Sequence, residues 1–444
     1  MHKILLFTSA LFLYTTTFGQ QKKQAIQPDD IYRIPALNGP QISPDGLWVV
    51  YSLSVPDTAK DNRISRLWMQ SYDGKESIQL TYGDESVSSP KWSPDNKFIS
   101  FKSSRDSKNG AQIWLLDRRG GEGSKLTNLK GSINDYSWSP DDQQLLLTIA
   151  DPENGGKADT KTPLPIKIDR YHFKQDVAGY LQHLHEHLYL FNINTKKIDT
   201  LTKGDYDENS AEFSPDGSKI VFVSNHTADP DKNENTDIFI IDSKANSIPK
   251  QITLWKGREQ SPHWSPYGKF IVYIRSTSDA DYLMYDQGIM CLMDSDGKNN
   301  LLLTQALDRP VTSATWSKDG KEIYFLTIDD RERYLSRYEL ADKKIKSLLR
   351  GKFSINEFIT GEHMVIQLSN PYVPAELYAY ESGNLRRLTF HQNELLNSVN
   401  LAHVEGFTSK SSDGTLVSGL VYTPDSINRK KLPLILFIHG GPVG

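Results

Sequence analysis

Short apolar runs that each follow a tight polar turn dominate the hydrophobic pattern of the chain. The turns read Ser-Pro-Asp-Gly or a close variant, in which proline presets the backbone, aspartate bonds to its own backbone and glycine accommodates the exit. A large apolar residue stands before each turn, and a run such as WVVYS or IVFVS follows it. The pattern predicts two strands joined by a turn in each repeat. The turns begin at Ser43, Ser93, Ser139, Ser214, Ser265 and Ser317, and the residues before them are Ile42, Trp92, Trp138, Phe213, Trp264 and Trp316.

A second element follows each pair of strands. Segments such as QIWLLDRRGGEGSKLT alternate apolar and polar residues around a polar turn, which is typical of a β-hairpin. Two strands and a hairpin make a four-stranded sheet, and a repeat of about 50 residues has the size of one propeller blade. The hairpin occurs seven times, the last time near residues 357–389 without the turn motif. The repeats therefore predict an all-β fold, a seven-bladed β-propeller over residues 30–397.

One interval between turns, from Ser139 to Ser214, is longer than the others. The additional chain, residues 151–186, begins as a polar loop rich in Gly and Pro and continues into a segment with Arg170, Tyr171 and Tyr180. Long ordered insertions in a repeat scaffold are usually functional. We therefore expect this insertion, in the third blade, to contribute to a binding site.

The ends of the chain differ from the repeats. Residues 1–19 combine the positive Lys3, an apolar run too short to span a bilayer and small residues up to Gly19, which predicts a secretory signal peptide; a buried first strand or helix is the alternative. The signal peptide leads us to expect an exported, periplasmic protein. Because no cysteine follows the apolar run, we expect no lipid anchor in the membrane. Residues 398–444 contain a predicted hairpin and the apolar run LPLILFI, which is typical of a strand buried on both faces of an α/β sheet.

Composition removes several classes of function. Basic and acidic residues number 51 and 55, and their charges are spread along the chain, so neither a nucleic-acid stripe nor a membrane-surface helix is predicted. Cys291 is the single cysteine, so the chain has neither an intrachain disulfide nor a thiolate metal cluster. No cofactor is expected.

The turns, the segment EGFTSKSSDGTLVSGLVYTP and the segment PLILFIHGGP together resemble the prolyl oligopeptidase family of serine peptidases, in its acylaminoacyl-peptidase and dipeptidyl-peptidase branch. The resemblance implies a propeller followed by an α/β-hydrolase domain that begins near residue 398. It also implies that the backbone N–H of Gly441 stabilises the oxyanion of the transition state, with Gly440 allowing close approach of the substrate, while His439 and Pro442 shape the turn. An ordinary turn at the end of a strand is the alternative.

The nucleophile of such hydrolases lies in Gly-x-Ser-x-Gly, and the 444 residues contain no such motif. The family places its triad downstream of the His-Gly-Gly-Pro turn. We therefore expect the 444-residue chain to be the front of a peptidase for short peptides, inactive alone, with a shortened gene model or a fragment favoured over a natural terminus. A non-catalytic propeller that binds a periplasmic partner, similar to translocation proteins, and a degenerate pseudo-enzyme are the alternatives. The oligomeric state stays open.

Two further groups of residues carry candidate chemistry. Arg170 and Glu186 could bind the charged termini of a peptide substrate, or could form a structural ion pair within the insertion. The segment HLHEH places His183, His185 and His187 two residues apart, a spacing that could bind zinc; a polar edge leading into the next hairpin is the favoured alternative, so no metal site is assigned.

Overall fold

The computed structural model describes residues 23–151, 166–176, 179–181, 184–279, 286–424 and 432–438. Strands account for most of the regular structure in these ranges, which confirms the prediction of a mainly β fold. The helical segments described are α1 (Asn393–Ser398) and the 3₁₀ helices Pro28–Arg33, Pro230–Lys232 and Gln305–Leu307. Among the described residues, no helix has the length and apolar character needed to cross a bilayer. The predicted signal peptide, residues 1–19, lies outside the described residues.

A short strand, β1 (Gln24–Ala25), precedes a series of antiparallel meanders of four strands, which we call units one to seven in chain order. A parallel bridge between Arg333 and Ser354 joins units six and seven into one eight-stranded sheet. Unit one comprises β2 (Ala36–Ile42), β3 (Trp48–Asp57), β4 (Asn62–Ser71) and β5 (Ser77–Gln79). Unit two comprises β6 (Val87–Trp92), β7 (Phe98–Ser103), β8 (Gln112–Asp117) and β9 (Ser124–Lys125). Unit three comprises β10 (Ile133–Trp138), β11 (Gln144–Ala150), β14 (Glu186–Asn192) and β15 (Ile198–Thr200), with the short pair β12 (Lys174–Gln175) and β13 (Gly179–Tyr180) inside its insertion.

The later units repeat the same strand order. Unit four comprises β16 (Glu208–Phe213), β17 (Lys219–Ser224), β18 (Asp237–Asp242) and β19 (Lys250–Gln251). Unit five comprises β20 (Glu259–Trp264), β21 (Phe270–Ser276), β22 (Gly288–Asp294) and β23 (Leu301–Leu302). Unit six comprises β24 (Val311–Trp316), β25 (Glu322–Asp329), β26 (Glu332–Glu339) and β27 (Lys344–Leu349). Unit seven comprises β28 (Ser354–Thr360), β29 (Met364–Asn370), β30 (Val373–Glu381) and β31 (Asn384–Arg387).

The repeated serine turns connect the first and second strands of units one to six, as the sequence predicts. In unit four the buried Ser214 Oγ donates to Asp216 Oδ1 at 2.6 Å and accepts the backbone N–H of Lys219 at 2.9 Å, while the Gly217 N–H donates to the Ser214 carbonyl at 2.8 Å. The fourth residue of each turn has a positive φ, which favours glycine and, next to it, asparagine and aspartate. These fourth residues are Gly46, Asn96, Asp142, Gly217, Gly268 and Gly320.

The hydrophobic core is divided among the spaces between units. Each of its clusters contains buried residues of two neighbouring units, and the series returns to its start because Val365 and Leu377 of unit seven pack with Val49 and Tyr51 of unit one. No strand of unit seven pairs with a strand of unit one in the described residues. The closure of these units into a seven-bladed propeller therefore stays a prediction.

Side-chain hydrogen bonds and one short strand pair hold the first and last units together. Gln367 Nε2 of unit seven donates to the Leu37 carbonyl at 2.8 Å, and Tyr51 Oη lies 2.8 Å from His391 Nε2. After α1, the strand β32 (Val399–Asn400) pairs in parallel with β1. The two ends of the unit series are thereby fixed to each other.

The predicted hairpin near the end of the chain is confirmed. β33 (His403–Lys410) and β34 (Leu416–Thr423) pair along their whole length, and most of their residues are exposed. The apolar run 432–438, by contrast, forms no strand, and Ile435 and Phe437 are exposed. The expectation of a strand buried on both faces is thus not met in the described residues, because no neighbouring strand there pairs with this run.

Candidate functional site

The β33–β34 hairpin contacts the connections between the second and third strands of units six and seven. Arg331, in the β25–β26 turn, donates from Nη1 to the carbonyls of Phe407 at 3.2 Å and Gly419 at 3.1 Å. The hydroxyl of Tyr372, in the β29–β30 turn, accepts the N–H of Val404 at 3.2 Å. We call the edge of the units that carries these connections the hairpin edge. The insertion of unit three is also a connection between second and third strands, so it begins and ends at the same edge.

Arg170 fixes the insertion to unit four. Its Nε donates to Asp231 Oδ1 at 3.1 Å, its Nη2 bonds to the same oxygen, and the His172 N–H donates to Asp231 Oδ2 at 2.9 Å. Partial burial alone would raise the pKa of Asp231, but the hydrogen bonds from Arg170 and His172 outweigh it and lower this pKa. Asp231 lies in the 3₁₀ helix of unit four, so the ion pair joins two units, whereas the sequence suggested a pair within the insertion.

Glu186 lies at the other end of the insertion and has different partners. Asn134 Nδ2, on the first strand of unit three, donates to Glu186 Oε1 at 2.6 Å, and the Glu186 N–H donates to Asp207 Oδ1 at 3.0 Å. Burial lowers the pKa of Lys102, whose Nζ donates to the Asn134 carbonyl at 2.5 Å. The carboxylate of Glu186 therefore lies beside the first strand of unit three and near the second strand of unit two, and its role in binding a substrate terminus stays a prediction.

The histidines of the HLHEH segment face carboxylates. His187 Nδ1 lies 2.9 Å from Glu208 Oε2, and His185 Nδ1 lies 3.4 Å from Asp207 Oδ1. His183 lies outside the described residues, and within the described part of the chain no group of three or more His, Cys, Asp or Glu side chains could hold a metal ion. His187 is thus the hydrogen-bonding partner of a neighbouring acid, whereas His185 lies near Asp207 without a hydrogen bond from its Nδ1 in the described residues.

Polar side chains from the first strands form a group that the sequence reasoning missed. First strands of neighbouring units contact each other, as β2 does with β6 and β20 with β24. Lys91 Nζ of unit two lies 3.2 Å from Asp135 Oδ1 of unit three, and His263 Nδ1 of unit five lies 2.5 Å from Glu212 Oε2 of unit four. Burial alone would lower the pKa of His263, but the Glu212 carboxylate raises it. The signal was available, because Lys91, Glu212 and His263 each stand directly before the large aromatic residue of a turn.

The same strands contain a repeated bulge. Their pairing with the second strand shifts register in every unit, and in several units a serine at the bulge has a positive φ. A left-handed serine is uncommon and costs backbone energy, and such bulges redirect the side chains around them. The bulged residues with positive φ are Gly39, Ser89, Ser210, Ser261 and Ser313.

The residues predicted to serve the reaction itself, Gly440 and Gly441 with His439 and Pro442, lie outside the described residues. The hairpin that precedes them in the chain is held at the hairpin edge, together with the insertion that contains Arg170 and Glu186.

Comparison with known proteins gives relatives among peptidases. The chain is 26% identical over 444 residues to an uncharacterised peptidase, YuxL, of Bacillus subtilis, a match that covers 95% of this chain and 67% of that protein. It is also 26% identical over 455 residues to dipeptidyl-peptidase 5 of Porphyromonas gingivalis, and this match covers 96% of this chain and 65% of that protein. The chain thus spans about two thirds of the length of these relatives. No family model matches the sequence.

Solved structures agree on the fold. An acylaminoacyl peptidase in complex with Z-Gly-Gly-Phe-chloromethyl ketone superposes with a TM-score of 0.74 at 19% identity, covering 93% of this chain and 62% of that one. The β-propeller domain of the Trilobed protease from Pyrococcus furiosus, described as having an open velcro topology, superposes with a TM-score of 0.56 at 18% identity, covering 80% of this chain and 98% of that domain. The relatives named as peptidases support the resemblance to the prolyl oligopeptidase family, and the solved structures support the β-propeller fold.

Proposed function

Taking the prolyl oligopeptidase family as the starting point, we propose that this chain is the seven-bladed propeller and hinge portion of an exported serine peptidase that hydrolyses short peptides. The complete protein would be of the dipeptidyl-peptidase or acylaminoacyl-peptidase type, which are the activities that the names of its relatives carry. The observation that carries the proposal is the hairpin β33–β34, which Arg331 and Tyr372 hold at the edge where the insertion also begins and ends. In the chain this hairpin precedes the apolar run 432–438 and the segment His-Gly-Gly-Pro, residues 439–442.

The packing between units supports the proposal that the propeller is closed. Seven apolar clusters join consecutive units and return from unit seven to unit one, and Gln367 and His391 bridge the same junction. In this arrangement the first strands surround a central passage lined by Lys91, Asp135 and the Glu212–His263 pair. The propeller would limit the size of the peptides that reach the active site, and the insertion would line the space next to it.

In the reaction, the backbone N–H of Gly441 would donate to the oxyanion that forms when the peptide carbonyl is attacked, and Gly440 would leave space for the substrate next to the main chain. Glu186 would bind a charged end of the substrate, while Arg170, whose guanidinium is bound to Asp231, would hold the insertion in place beside it. The nucleophile, acid and base would come from residues beyond these 444, since no Gly-x-Ser-x-Gly occurs within them. The 444-residue polypeptide alone would then give no turnover.

The test begins with the gene. When the three reading frames past codon 444 are translated, we expect one of them to encode Gly-x-Ser-x-Gly. We expect the protein extended in that frame to hydrolyse a dipeptide or N-acetylaminoacyl p-nitroanilide that the 444-residue chain does not hydrolyse. Replacing the serine of that motif by alanine is the control that must abolish turnover. If the extended protein folds and hydrolyses neither substrate, the peptidase proposal fails and a non-catalytic binding propeller takes its place.

A further inference from the structure

One position on the first strand differs in character between unit seven and the other units. Three residues of each first strand point toward the preceding unit with the same spacing, as Val311, Ala314 and Trp316 do in unit six, and in unit seven these are Ile355, Phe358 and Thr360. The third position is large and apolar in the first six units and is a threonine in unit seven. The residues at this position are Ile42, Trp92, Trp138, Phe213, Trp264, Trp316 and Thr360.

In the other units this side chain fills the junction with the preceding unit. Trp92 and Trp316 are buried, and their indole N–H groups donate across the junction, to the Gln41 carbonyl at 3.1 Å and to the His263 carbonyl at 3.1 Å. Thr360 makes the corresponding contact through its hydroxyl, which donates to the Trp316 carbonyl at 3.4 Å. A hydroxyl and a methyl group replace an indole, so the junction of units six and seven is left unfilled at this level.

A cavity of about 890 Å³ occupies that place. It opens at the end of the units that carries the serine turns, and the turn of residues 361–363 forms part of its wall. The hairpin edge lies at the opposite end of the same strands, so the cavity is separated from the β33–β34 hairpin by the length of β29. Besides Thr360, its lining includes Tyr72, Tyr324, Arg337, Tyr380 and His363.

The charged groups around this cavity are paired with each other. Lys318 binds Glu362, Lys321 lies 3.1 Å from Asp319, and Arg337 is held by Glu322 at 2.9 Å and Glu339 at 2.7 Å. Glu339 also binds Lys346 at 2.8 Å, and Glu381, which borders the cavity, binds Arg386 at 2.7 Å. Each carboxylate around the cavity is thus matched by a cation, and no excess of either charge remains. Such a lining does not favour a phosphate or a strongly charged peptide.

Aromatic surfaces complete the site. Tyr72 stacks on His363 with the ring centroids 4.2 Å apart and the planes 13° from parallel, and the Arg386 guanidinium lies 5.4 Å from the Tyr72 ring, so Tyr72 supports the exposed imidazole of His363. The phenol rings of Tyr324 and Tyr380 also border the space. Tyr324 Oη donates to Glu322 at 2.9 Å, so its hydroxyl is fixed. Flat apolar faces beside fixed carboxylates and a guanidinium match a ligand that has apolar faces and a rim of hydroxyl groups.

We propose that this cavity between units six and seven binds a neutral saccharide of two or three sugar units. The volume lies within the range of small-ligand sites, about 300–1,000 Å³. The tyrosine and histidine rings contact the faces of the sugar rings, and the paired carboxylates and Arg337 bond to their hydroxyls. The proposal is independent of peptidase activity, since it concerns the other end of the propeller.

The experiment measures binding of maltotriose and of triacetylchitotriose to the 444-residue chain by saturation-transfer NMR and calorimetry. We expect at least one of them to bind at millimolar concentration, Thr360→Ser to bind equally well, and Thr360→Trp, which inserts the side chain found in the other units, to weaken binding by about tenfold or more. His363→Ala, on an exposed turn where folding is not at risk, is the second variant and should weaken binding by about threefold.

Three results would overturn the proposal. Binding of neither saccharide by the folded chain would do so, as would unchanged binding in both Thr360→Trp and His363→Ala. Displacement of the bound saccharide by the uncharged tripeptide N-acetyl-trialanine amide, at equal concentration, would replace the saccharide by a peptide as the ligand of this cavity.

Discussion

The imidazole of His187 and the carboxylate of Glu208 form a hydrogen bond of 2.9 Å at the junction of units three and four, and both side chains are almost completely buried. Thr202 Oγ1 donates to the same carboxylate oxygen at 2.7 Å. The hydrogen bond with Glu208 raises the pKa of His187. Because His187 directly follows the insertion, this pair anchors the insertion to the folded core.

We expect Glu208→Gln to destabilise the protein by about 2 kcal/mol at pH 6 and by less at pH 9. The folded pKa of His187 lies above its unfolded value, so the contribution of the ion pair is complete below about pH 6.5 and is lost as the pH rises through the folded pKa. Urea denaturation at the two pH values measures the difference, with the exposed Glu76→Gln as control. Equal losses at both pH values would contradict the assignment of a charged pair.

The next junction carries two acids in the equivalent places. Asp237 takes the place of His187, because the residue after each of them donates its N–H to a buried threonine. Glu259 takes the place of Glu208, because each of them begins the first strand of the following unit. Burial raises the pKa of Asp237 to about 7 and that of Glu259 to about 7, the latter with a further contribution from the charge of Asp237. One oxygen of each carboxyl group has no hydrogen-bond partner in the part of the chain that the structure describes.

Glu259→Gln is therefore expected to stabilise the protein at pH 8, by on the order of 2 kcal/mol, and to change it little at pH 4. The folded pKa values lie above the unfolded ones, so the wild-type protein loses stability as the pH rises from about 4 to about 7, and the amide removes one of the two titrating groups. Denaturation curves across this range measure the slope. A wild-type stability that rises over the same range would refute the raised pKa values.

The buried serines of the turns should differ according to the residue two positions later. Ser214→Ala removes both the bond to Asp216 and the acceptor for the Lys219 N–H, and should cost about 1–2 kcal/mol. Ser265→Ala is the matched variant, since Tyr267 replaces the aspartate there and only the Phe270 N–H loses its acceptor, at 3.0 Å. We expect its cost, measured by thermal denaturation, to be the smaller of the two. The reverse order would mean that the Ser–Asp bond does not stabilise the turn.

The Arg170–Asp231 pair should hold the insertion in place. Arg170→Ala and Asp231→Ala should each speed proteolytic cleavage within residues 151–186. The double variant should be cleaved no faster than Asp231→Ala, because Asp231 accepts the bonds of both Arg170 and the His172 N–H. Lys167→Ala, at an exposed lysine of the same insertion that pairs with Asp169, is the control and should leave the rate unchanged. Additive effects of the two single variants would show that Arg170 acts through another partner.

The sequence predicted the parts of this fold that depend on local chemistry. A serine, a proline, an aspartate and a residue that tolerates positive φ make the same turn wherever they occur, so the turns at Ser43 and Ser214 could be recognised without knowledge of their surroundings. The hairpin β33–β34 was recognised for the same reason. The apolar run 432–438 was not placed correctly, because whether such a run becomes a strand depends on a neighbour that the run itself does not encode.

The repeat period, the strand order within each unit and the places of the turns were determined by the sequence alone, since they follow from contacts between residues close in the chain. Only the tertiary structure decided that Arg170 binds Asp231, that His263 lies against Glu212 and that Thr360 leaves a cavity beside Arg337. These relationships join residues dozens of positions apart. They arise where the edges of separately formed sheets pack together, and packing selects partners by shape and charge across units, for which the chain carries no local pattern.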